Sequence, residues 1–156
     1  MVLDTRQMPI LVAEDDADDR SLLQRALQAA KVPNPISYVK DGQELLDFLG
    51  SCAPEGEGRA THSSPALILL DLNMPRMNGK EALKLMRQDK RFERIPVLVL
   101  TTSRSREDIL QSYSLGANSF MTKPLSYGEF VGMAELIRLY WLEKVELPGQ
   151  FQLENL

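Results

Sequence analysis

The sequence has little of what several classes of protein require. Cysteine occurs once, at Cys52, so no internal disulfide can form and nothing favours an oxidising compartment. No apolar run approaches the roughly 20 residues that a membrane helix needs. Residues 1–7 contain no apolar stretch long enough for a signal peptide. We therefore expect a cytoplasmic protein that makes no contact with a membrane.

An excess of positive charge is also missing. The chain has 18 lysines and arginines against 22 acidic residues, a net charge of -4, whereas nucleic-acid backbones reward clustered positive charge. The basic run at 87–91 fits a solvated helix end, where it complements the helix dipole. The lone histidine, His62, lies in the Gly/Ser/Pro-rich segment 50–65, which we interpret as a long surface loop. Neither feature predicts nucleic-acid binding or catalysis.

What the sequence does have is a regular alternation of apolar runs and helical segments. The third and fourth runs are apolar at nearly every position, which is typical of parallel strands covered on both faces. The five runs are 10–13, 36–39, 66–70, 97–100 and 119–121. Five β-α units in 156 residues predict one domain with a flavodoxin-like, doubly wound α/β sheet of strand order 2-1-3-4-5.

Helical periodicity fills the intervals between these runs. Apolar stripes begin near Leu22, Leu45, Ala82 and Ile109, and Gly116 is placed to end the fourth helix. The fourth stripe consists of Ile109, Leu110, Tyr113 and Leu115. The last helix is predicted over roughly 127–144, with a stripe that packs on the sheet. Its members are Phe130, Met133, Ala134, Ile137, Tyr140 and Trp141.

Polar residues with chemical potential follow several of the strands. Acids follow the first strand at 14–16 and the third at Asp71, hydroxyls end the fourth at 101–102, and Lys123-Pro124 ends the fifth. In an open α/β sheet these carboxyl ends share one edge, where ligands bind. Because the first strand lies beside the third, Asp15 and Asp71 should be neighbours, with Lys123 able to reach them.

Crowded carboxylates repel each other unless something removes the charge. Mg²⁺ does so, because it prefers one or two carboxylates, a carbonyl oxygen and retained waters. A lysine and a threonine hydroxyl then remain to bind an anion. These are the parts needed to transfer a phosphoryl group to an aspartate.

The same residues occur as motifs of a known family. The motifs are Glu14-Asp15, Leu70-Asp71-Leu72-Asn73-Met74-Pro75 followed by Asn78-Gly79, Leu100-Thr101-Thr102, and Lys123-Pro124. In order and spacing the chain resembles the receiver domains of bacterial two-component response regulators, from Pro9 to about Lys144. This likeness predicts a lead-in at 1–8, a receiver domain at 9–145 and a tail at 146–156.

The resemblance implies a role for each residue. Asp71 would accept a phosphoryl group from a histidine kinase. Mg²⁺ would be held by Asp15, Asp71 and the backbone carbonyl of Asn73, with Glu14 acting through water. Thr101 would hydrogen-bond the phosphoryl oxygen and Lys123 would pair with it. Phe120 would be the switch aromatic, without the hydroxyl of the tyrosine that is common there. The Lys123-Pro124 bond is cis in the family pattern, but the sequence alone does not show which isomer this chain has.

Within the family, the chain looks most like the single-domain regulators paired with bacterial phytochromes. The likeness lies in the long loop before the third strand, the run 100–103, the helix at 108–113 with 115–118, and the ending at 140–142. It implies a phytochrome-type sensor histidine kinase as partner and a homodimer built on the last helix and its neighbours. No output domain is expected, so signalling would run through phosphorylation-dependent protein contacts.

Other interpretations of these residues stay open. The acids at 14–16 could be a helix cap with dipole-favoured neighbours, the role that we assign to Asp16 alone. Asp71 could be a turn residue. An aspartyl-phosphate hydrolase would typically need a second aspartate where this chain has Asn73, so we do not expect an enzyme. An FMN-binding module is disfavoured, because the acids at 14–16 would repel the FMN phosphate. Cys52 is interpreted as an inert loop thiol.

Overall fold

The predicted alternation of strands and helices is confirmed. The computed structural model describes residues 4–52 and 63–150, and of Gln150 only the backbone. The strands are β1 (Ile10–Ala13), β2 (Ile36–Val39), β3 (Leu67–Leu70), β4 (Val97–Thr101) and β5 (Ser119–Thr122). The α-helices are α1 (Ala17–Ala29), α2 (Gly42–Cys52), α3 (Gly79–Gln88), α4 (Arg106–Ser114) and α5 (Tyr127–Leu136). A 3-10 turn (Thr5–Gln7) precedes β1, a π-helix (Ile137–Lys144) follows α5, and a second 3-10 turn covers Pro148–Gln150.

All five strands are parallel, in the predicted order β2-β1-β3-β4-β5. The three central strands are buried at every position, whereas the edge strands β2 and β5 are mostly half-buried. This explains why the central runs lack polar alternation. In the register, Ala13 pairs with Leu70, and Thr101 pairs with Thr122. The strand ends therefore lie level along one edge.

Alternate residues of the central strands supply the two faces of the core. Leu11, Ile68 and Val99 point to the face covered by α2 and α3. Val12, Leu69 and Leu98 point to the face covered by α1 and α5. Burying a side chain of this size contributes about 1.5–3 kcal/mol, so the apolar alternation fixes which way the strand-end side chains point.

Capping residues begin and end several of the helices. The side chains of Asp16 and Asn78 accept backbone N–H groups at the starts of α1 and α3. Asp41 does the same for Glu44 in α2. Gly116 follows the end of α4 with a φ of +105°, which a residue with a side chain rarely adopts, so its predicted capping position is confirmed.

Two helical predictions need correction. The last helix is continuous, but its second half has π geometry, which rotates side chains relative to an α-helix. Tyr140 is therefore exposed rather than packed on the sheet, while Trp141 is half-buried. In α4, Leu110 and Tyr113 are also exposed. Leu110, Tyr113 and Tyr140 are therefore surface residues.

The first part of the predicted tail packs against residues that precede β1 and β3. Leu147, in the segment predicted as a tail, is fully buried with Met8 and Ala66. The remaining apolar tail residues, Phe151, Leu153 and Leu156, lie outside the described residues. His62 and most of the predicted loop also lie outside them. In the part of the chain that the structure describes, no helix has the length and apolarity to cross a membrane.

Candidate functional site

The structure brings the predicted strand-end residues to one rim of the sheet. Glu14 and Asp15 directly follow β1, Asp71 follows β3, and Lys123 follows β5. Backbone hydrogen bonds hold these ends together: the N–H of Asp71 donates to Ala13 at 3.0 Å, and the N–H of Lys123 donates to Thr101 at 2.8 Å. Position within the sheet, rather than any flexible loop, sets the spacing of the side chains.

Lys123 lies at the centre of the site. Its Nζ is 2.7 Å from Glu14 Oε2, 2.8 Å from Asp19 Oδ2 and 3.1 Å from Asp71 Oδ2. An ammonium has three N–H donors, and three carboxylates use them. The side chains of Lys123, Glu14 and Asp71 are nearly fully buried, at 8%, 6% and 7% exposure, whereas that of Asp19 is 37% exposed.

A carboxylate cluster lies beside the ammonium. One oxygen each from Glu14, Asp15 and Asp71 fall within 4.8 Å of one another. Asp15 is exposed and faces the solvent side of the cluster, while the other two are buried. Three oxygen ligands with open access to water suit a hard divalent cation, which keeps part of its hydration shell. The donor set therefore fits Mg²⁺ or Mn²⁺.

Among the described residues, the carboxylates of the site outnumber the cations that contact them. Burial raises the pKa of Glu14, the hydrogen bond from Lys123 lowers it, and the Asp71 carboxylate raises it again, so the pKa lies at about 7. For Lys123, burial lowers the pKa, but the hydrogen bonds to Asp19 and Glu14 outweigh it, and the pKa is raised. One ammonium thus faces an excess of negative charge, which a divalent cation would remove.

The loop after β3 holds Asp71 in place. The N–H of Asn73 donates to Asp71 Oδ1 at 3.3 Å, and the N–H of Gly79 donates to Leu72 at 3.0 Å. A Cβ on Gly79 would lie 2.3 Å from the carbonyl oxygen of Asp71, so only glycine allows this approach. The Asn78-Gly79 pair therefore serves as a helix cap and a close backbone contact behind the aspartate.

The predicted switch residues make hydrogen bonds of their own. Thr101 is fully buried, and its hydroxyl accepts the N–H of Ser103 at 3.4 Å, while Thr102 is exposed. Phe120 is half-buried against the α2–α3 core, and its N–H donates to the hydroxyl of Tyr113 at 3.1 Å. No described peptide bond is cis, so the Lys123-Pro124 bond, whose isomer the sequence left open, is trans.

Sequence reasoning missed one member of the site. Asp19 was not singled out, yet it contacts Lys123 as closely as Glu14 does. The sequence gives only a weak signal for it: Asp19 is an acid in the first turn of the helix that follows Glu14-Asp15, and Asp15 itself precedes that helix. Asp16, by contrast, caps α1 through the N–H groups of Asp18 and Asp19, each at 2.9 Å, as predicted.

Cys52 also needs a correction. It lies in the last turn of α2 rather than in a loop, and its thiol donates to the carbonyl of Phe48 at 3.3 Å. Burial raises the pKa of this thiol to about 11. A thiol with so little thiolate at neutral pH is unreactive, which agrees with the predicted lack of function.

Curated relatives support the assignment suggested by this geometry. The response regulator Rcp1 of Synechocystis sp. (strain ATCC 27184 / PCC 6803 / Kazusa) is 36% identical over 141 residues, which is 90% of this chain and 92% of Rcp1. The probable methanogenesis regulatory protein FilR2 of Methanothrix harundinacea (strain 6Ac) is 38% identical over 140 residues, or 90% of this chain and 87% of FilR2.

Solved structures share the fold over nearly their full length. A phosphorylated cyanobacterial phytochrome response regulator, RcpA, matches with a TM-score of 0.81 and 38% identity, over 91% of this chain and 99% of RcpA. The Mn²⁺-bound form of Rcp1 matches with a TM-score of 0.78 and 36% identity, over 90% of this chain and 99% of Rcp1. Residues 10–135 match the family described as the response regulator receiver domain. The chain therefore belongs to the response regulator receiver domain family, with the phytochrome response regulators among its relatives.

Proposed function

We propose that this chain is a phosphorylation-controlled signalling switch that accepts a phosphoryl group on Asp71 from a histidine kinase. The observation that carries the proposal is the contact between Lys123 Nζ and Asp71 Oδ2 at 3.1 Å, beside a carboxylate cluster at the rim of the sheet. It places a cation beside the one buried aspartate that directly follows a central strand. Membership of the receiver family supports the same residue.

The chemistry is a displacement at phosphorus. An oxygen of Asp71 attacks the phosphorus of a phosphohistidine, the P–N bond breaks, and its electron pair leaves with the imidazole nitrogen. Lys123 offsets the charge of the transferring oxygens. Asp15, Asp71 and the Asn73 carbonyl would hold Mg²⁺, with Glu14 acting through water, and the bound ion would supply further positive charge. Thr101 would bind a phosphoryl oxygen, and Phe120 would respond to its movement.

A signalling role is favoured over phosphatase turnover. Position 73 is an asparagine, which cannot transfer a proton, and it lies two residues from the proposed nucleophile. We therefore expect the phosphorylated protein to hydrolyse slowly and to show no turnover of small phosphoesters.

The test is phosphoryl transfer to defined variants. With acetyl phosphate or a phosphorylated histidine kinase in Mg²⁺, we expect wild-type protein to be labelled and Asp71→Asn to be unlabelled. Asp15→Asn should require much more Mg²⁺. Asp18→Asn is the matched control, because Asp18 is exposed on the first turn of α1 and outside the cluster. Full labelling of Asp71→Asn would show that the acceptor is a different residue.

We further propose a phytochrome-type histidine kinase as the partner. Support comes from RcpA, named a phytochrome response regulator, although FilR2 is named for methanogenesis. A kinase that uses ATP would place the exchange in the cytoplasm. The test compares the rate of transfer from a phosphorylated phytochrome kinase with that from an unrelated histidine kinase. Equal rates from the two kinases would reject this partner.

The same proposal includes a homodimer through the last helix and its neighbours. Support comes from large apolar side chains that are exposed on α4 and from α5 into the π-helix. They are Leu110, Tyr113, Leu136, Leu139 and Tyr140. Leu136→Glu should produce a monomer in light scattering, with and without a phosphoryl mimic. Leu85→Glu is the control, because Leu85 is an exposed leucine on α3. A dimer that survives Leu136→Glu and is lost in Leu85→Glu would place the interface elsewhere.

A further inference from the structure

Asp19 occupies the position around Lys123 that is easiest to vacate. All three ammonium donors have carboxylate partners, at 2.7 Å (Glu14), 2.8 Å (Asp19) and 3.1 Å (Asp71). A phosphoryl oxygen cannot bind the ammonium unless one partner leaves or shares its donor. The three carboxylates differ in how much free energy their release from the ammonium costs.

Exposure distinguishes the three partners. The side chain of Glu14 is only 6% exposed, so releasing it would leave a buried carboxylate without its cation. Asp71 bears the phosphoryl group in the proposed reaction, so its side chain stays in the site whichever partner leaves the ammonium. Asp19 is 37% exposed and projects from the first turn of α1. When it leaves, water replaces the ammonium at little cost. Release of Asp19 is therefore the least costly exchange.

We propose that Asp19 is a positioning residue that occupies Lys123 while the site holds no phosphoryl group and is displaced when one arrives; the inference rests on the proposed function. Asp19 acts as a competitor for the ammonium. It holds Lys123 between the rim carboxylates, and it also lowers the affinity of the site for a phosphoryl group by the strength of the contact that must be broken. It does not touch the reacting atoms.

The size of the effect follows from the type of contact. A partly exposed ion pair contributes about 0.2–1 kcal/mol, and 1.4 kcal/mol is a factor of ten in affinity. Removing the charge of Asp19 should therefore tighten binding of a phosphoryl mimic by about 1.4- to fivefold. A general loss of negative charge near the site would also favour an anion, so a control of the same charge and location is needed.

The neighbouring residue provides that control. Asp18 lies in the same first turn of α1, is exposed and, within the described part of the chain, its carboxylate pairs with no cation. Asp18→Asn and Asp19→Asn thus remove the same charge one residue apart. Asp19→Glu keeps the charge and should restore much of the competition. Asp19→Ser serves as a second neutral variant if Asp19→Asn does not fold.

The measurement is the affinity for beryllofluoride at saturating Mg²⁺, by titration calorimetry and ¹⁹F NMR. We expect Asp19→Asn to bind about 1.4- to fivefold more tightly than Asp18→Asn, and Asp19→Glu to resemble the wild type. Equal affinities for the two asparagine variants, or weaker binding by Asp19→Asn, would overturn the inference while leaving the phosphoacceptor proposal intact. If wild-type protein failed to bind the mimic, or Asp71→Asn bound it equally well, the proposed function itself would fall, and this inference with it.

Discussion

The hydroxyl of Tyr113 on α4 accepts a hydrogen bond from the backbone N–H of Phe120 on β5, at 3.1 Å. β5 is an edge strand, so one row of its backbone groups has no neighbouring strand. The hydroxyl satisfies one of these donors. Phe120, the predicted switch aromatic, lacks a hydroxyl of its own, and a tyrosine of the adjacent helix ties its backbone to α4 instead.

We expect Tyr113→Phe to loosen this end of β5. The variant leaves the ring in place and removes one partly exposed hydrogen bond, so the free energy of unfolding should fall by about 0.5–1 kcal/mol. Amide exchange of Phe120 should accelerate more than that of central-strand amides. Tyr140→Phe is the control, since its hydroxyl has no hydrogen-bond partner among the described residues. Unchanged exchange at Phe120 would contradict the prediction.

The raised pKa of Glu14 predicts a pH-dependent stability in the absence of metal. Its pKa rises from 4.5 to about 7 on folding, because burial and the Asp71 carboxylate outweigh the bond from Lys123. The folded state therefore binds the proton more tightly, and the contribution of Glu14 to stability falls as the pH rises from 4.5 to 7. At 1.4 kcal/mol for each pKa unit, the loss amounts to up to about 3 kcal/mol.

Glu14→Gln isolates this contribution. Measured by urea unfolding in EDTA, the stability of Glu14→Gln relative to wild type should increase between pH 5 and pH 7 and then level off. Mg²⁺ should shrink the difference, since it favours the ionised glutamate. The exposed Glu135→Gln variant controls for the loss of one negative charge. A difference that does not change with pH would show that Glu14 titrates normally in the folded protein.

The sequence predicted the rim of the site because strand geometry determines it. Strands that are apolar throughout must be central and parallel, and the residues that follow them must then meet at one edge. The positions of Asp15, Asp71 and Lys123 at this edge could therefore be predicted from the strand pattern alone. The position of Asp19 depends on the rotation of α1 about its axis, which the cap at Asp16 fixes. Helical periodicity restricts that rotation only coarsely.

Contacts between loops that are far apart in the chain could not be predicted from the sequence. The basic run at 87–91 suggested a solvated helix end, yet Arg87 is half-buried. Its guanidinium donates to the carbonyls of Ile95 at 2.8 Å and Gly116 at 3.0 Å. Burial lowers the pKa of this arginine. Charge alone predicts solvent exposure, and only the packing of the α3–β4 and α4–β5 connections shows that one side chain joins them.

Arg76 predicts an unusual order of stability for two simple variants. It has a φ of +62°, a left-handed conformation that costs a residue with a side chain about 1–2 kcal/mol, and its guanidinium pairs with buried Asp41, Nε lying 2.8 Å from Oδ2. Arg76→Ala loses the ion pair and keeps the strain, whereas Arg76→Gly loses both. We therefore expect the glycine variant to be more stable by about 1 kcal/mol in thermal or urea unfolding.

Position 24 provides a control, because its alanine and glycine variants should show the opposite order of stability. Gln24 is exposed in the middle of α1, where glycine is about 1 kcal/mol less favourable than alanine. Gln24→Ala should therefore be more stable than Gln24→Gly. If alanine were also preferred at position 76, the left-handed backbone of the loop after β3 would not be a feature of the folded protein in solution.

A side-chain network connects α3 to the loop that follows Thr101. Asp108, in the first turn of α4, accepts hydrogen bonds from both the ammonium of Lys80 and the hydroxyl of Ser103. Lys80 also donates to Gln111 Oε1 at 2.7 Å, and the N–H of Ser103 donates to the Thr101 hydroxyl at 3.4 Å. The network thus holds the segment between β4 and α4 against α3.

Removing the carboxylate at position 108 should free that segment. In Asp108→Ala we expect faster amide exchange at residues 102–105 and a loss of about 1 kcal/mol in unfolding free energy, because two hydrogen bonds disappear from a partly exposed site. The bond from Lys80 and then that from Ser103 lower the pKa of Asp108, so its contribution is present above pH 3.8 and is lost as the pH falls through the lowered pKa. Glu107→Ala is the matched control, since Glu107 lies in the same first turn and accepts a bond from Gln111 within α4 at 2.9 Å. Equal acceleration of exchange in the two variants would mean that loss of first-turn negative charge, rather than the link to Lys80 and Ser103, orders the loop beside Thr101.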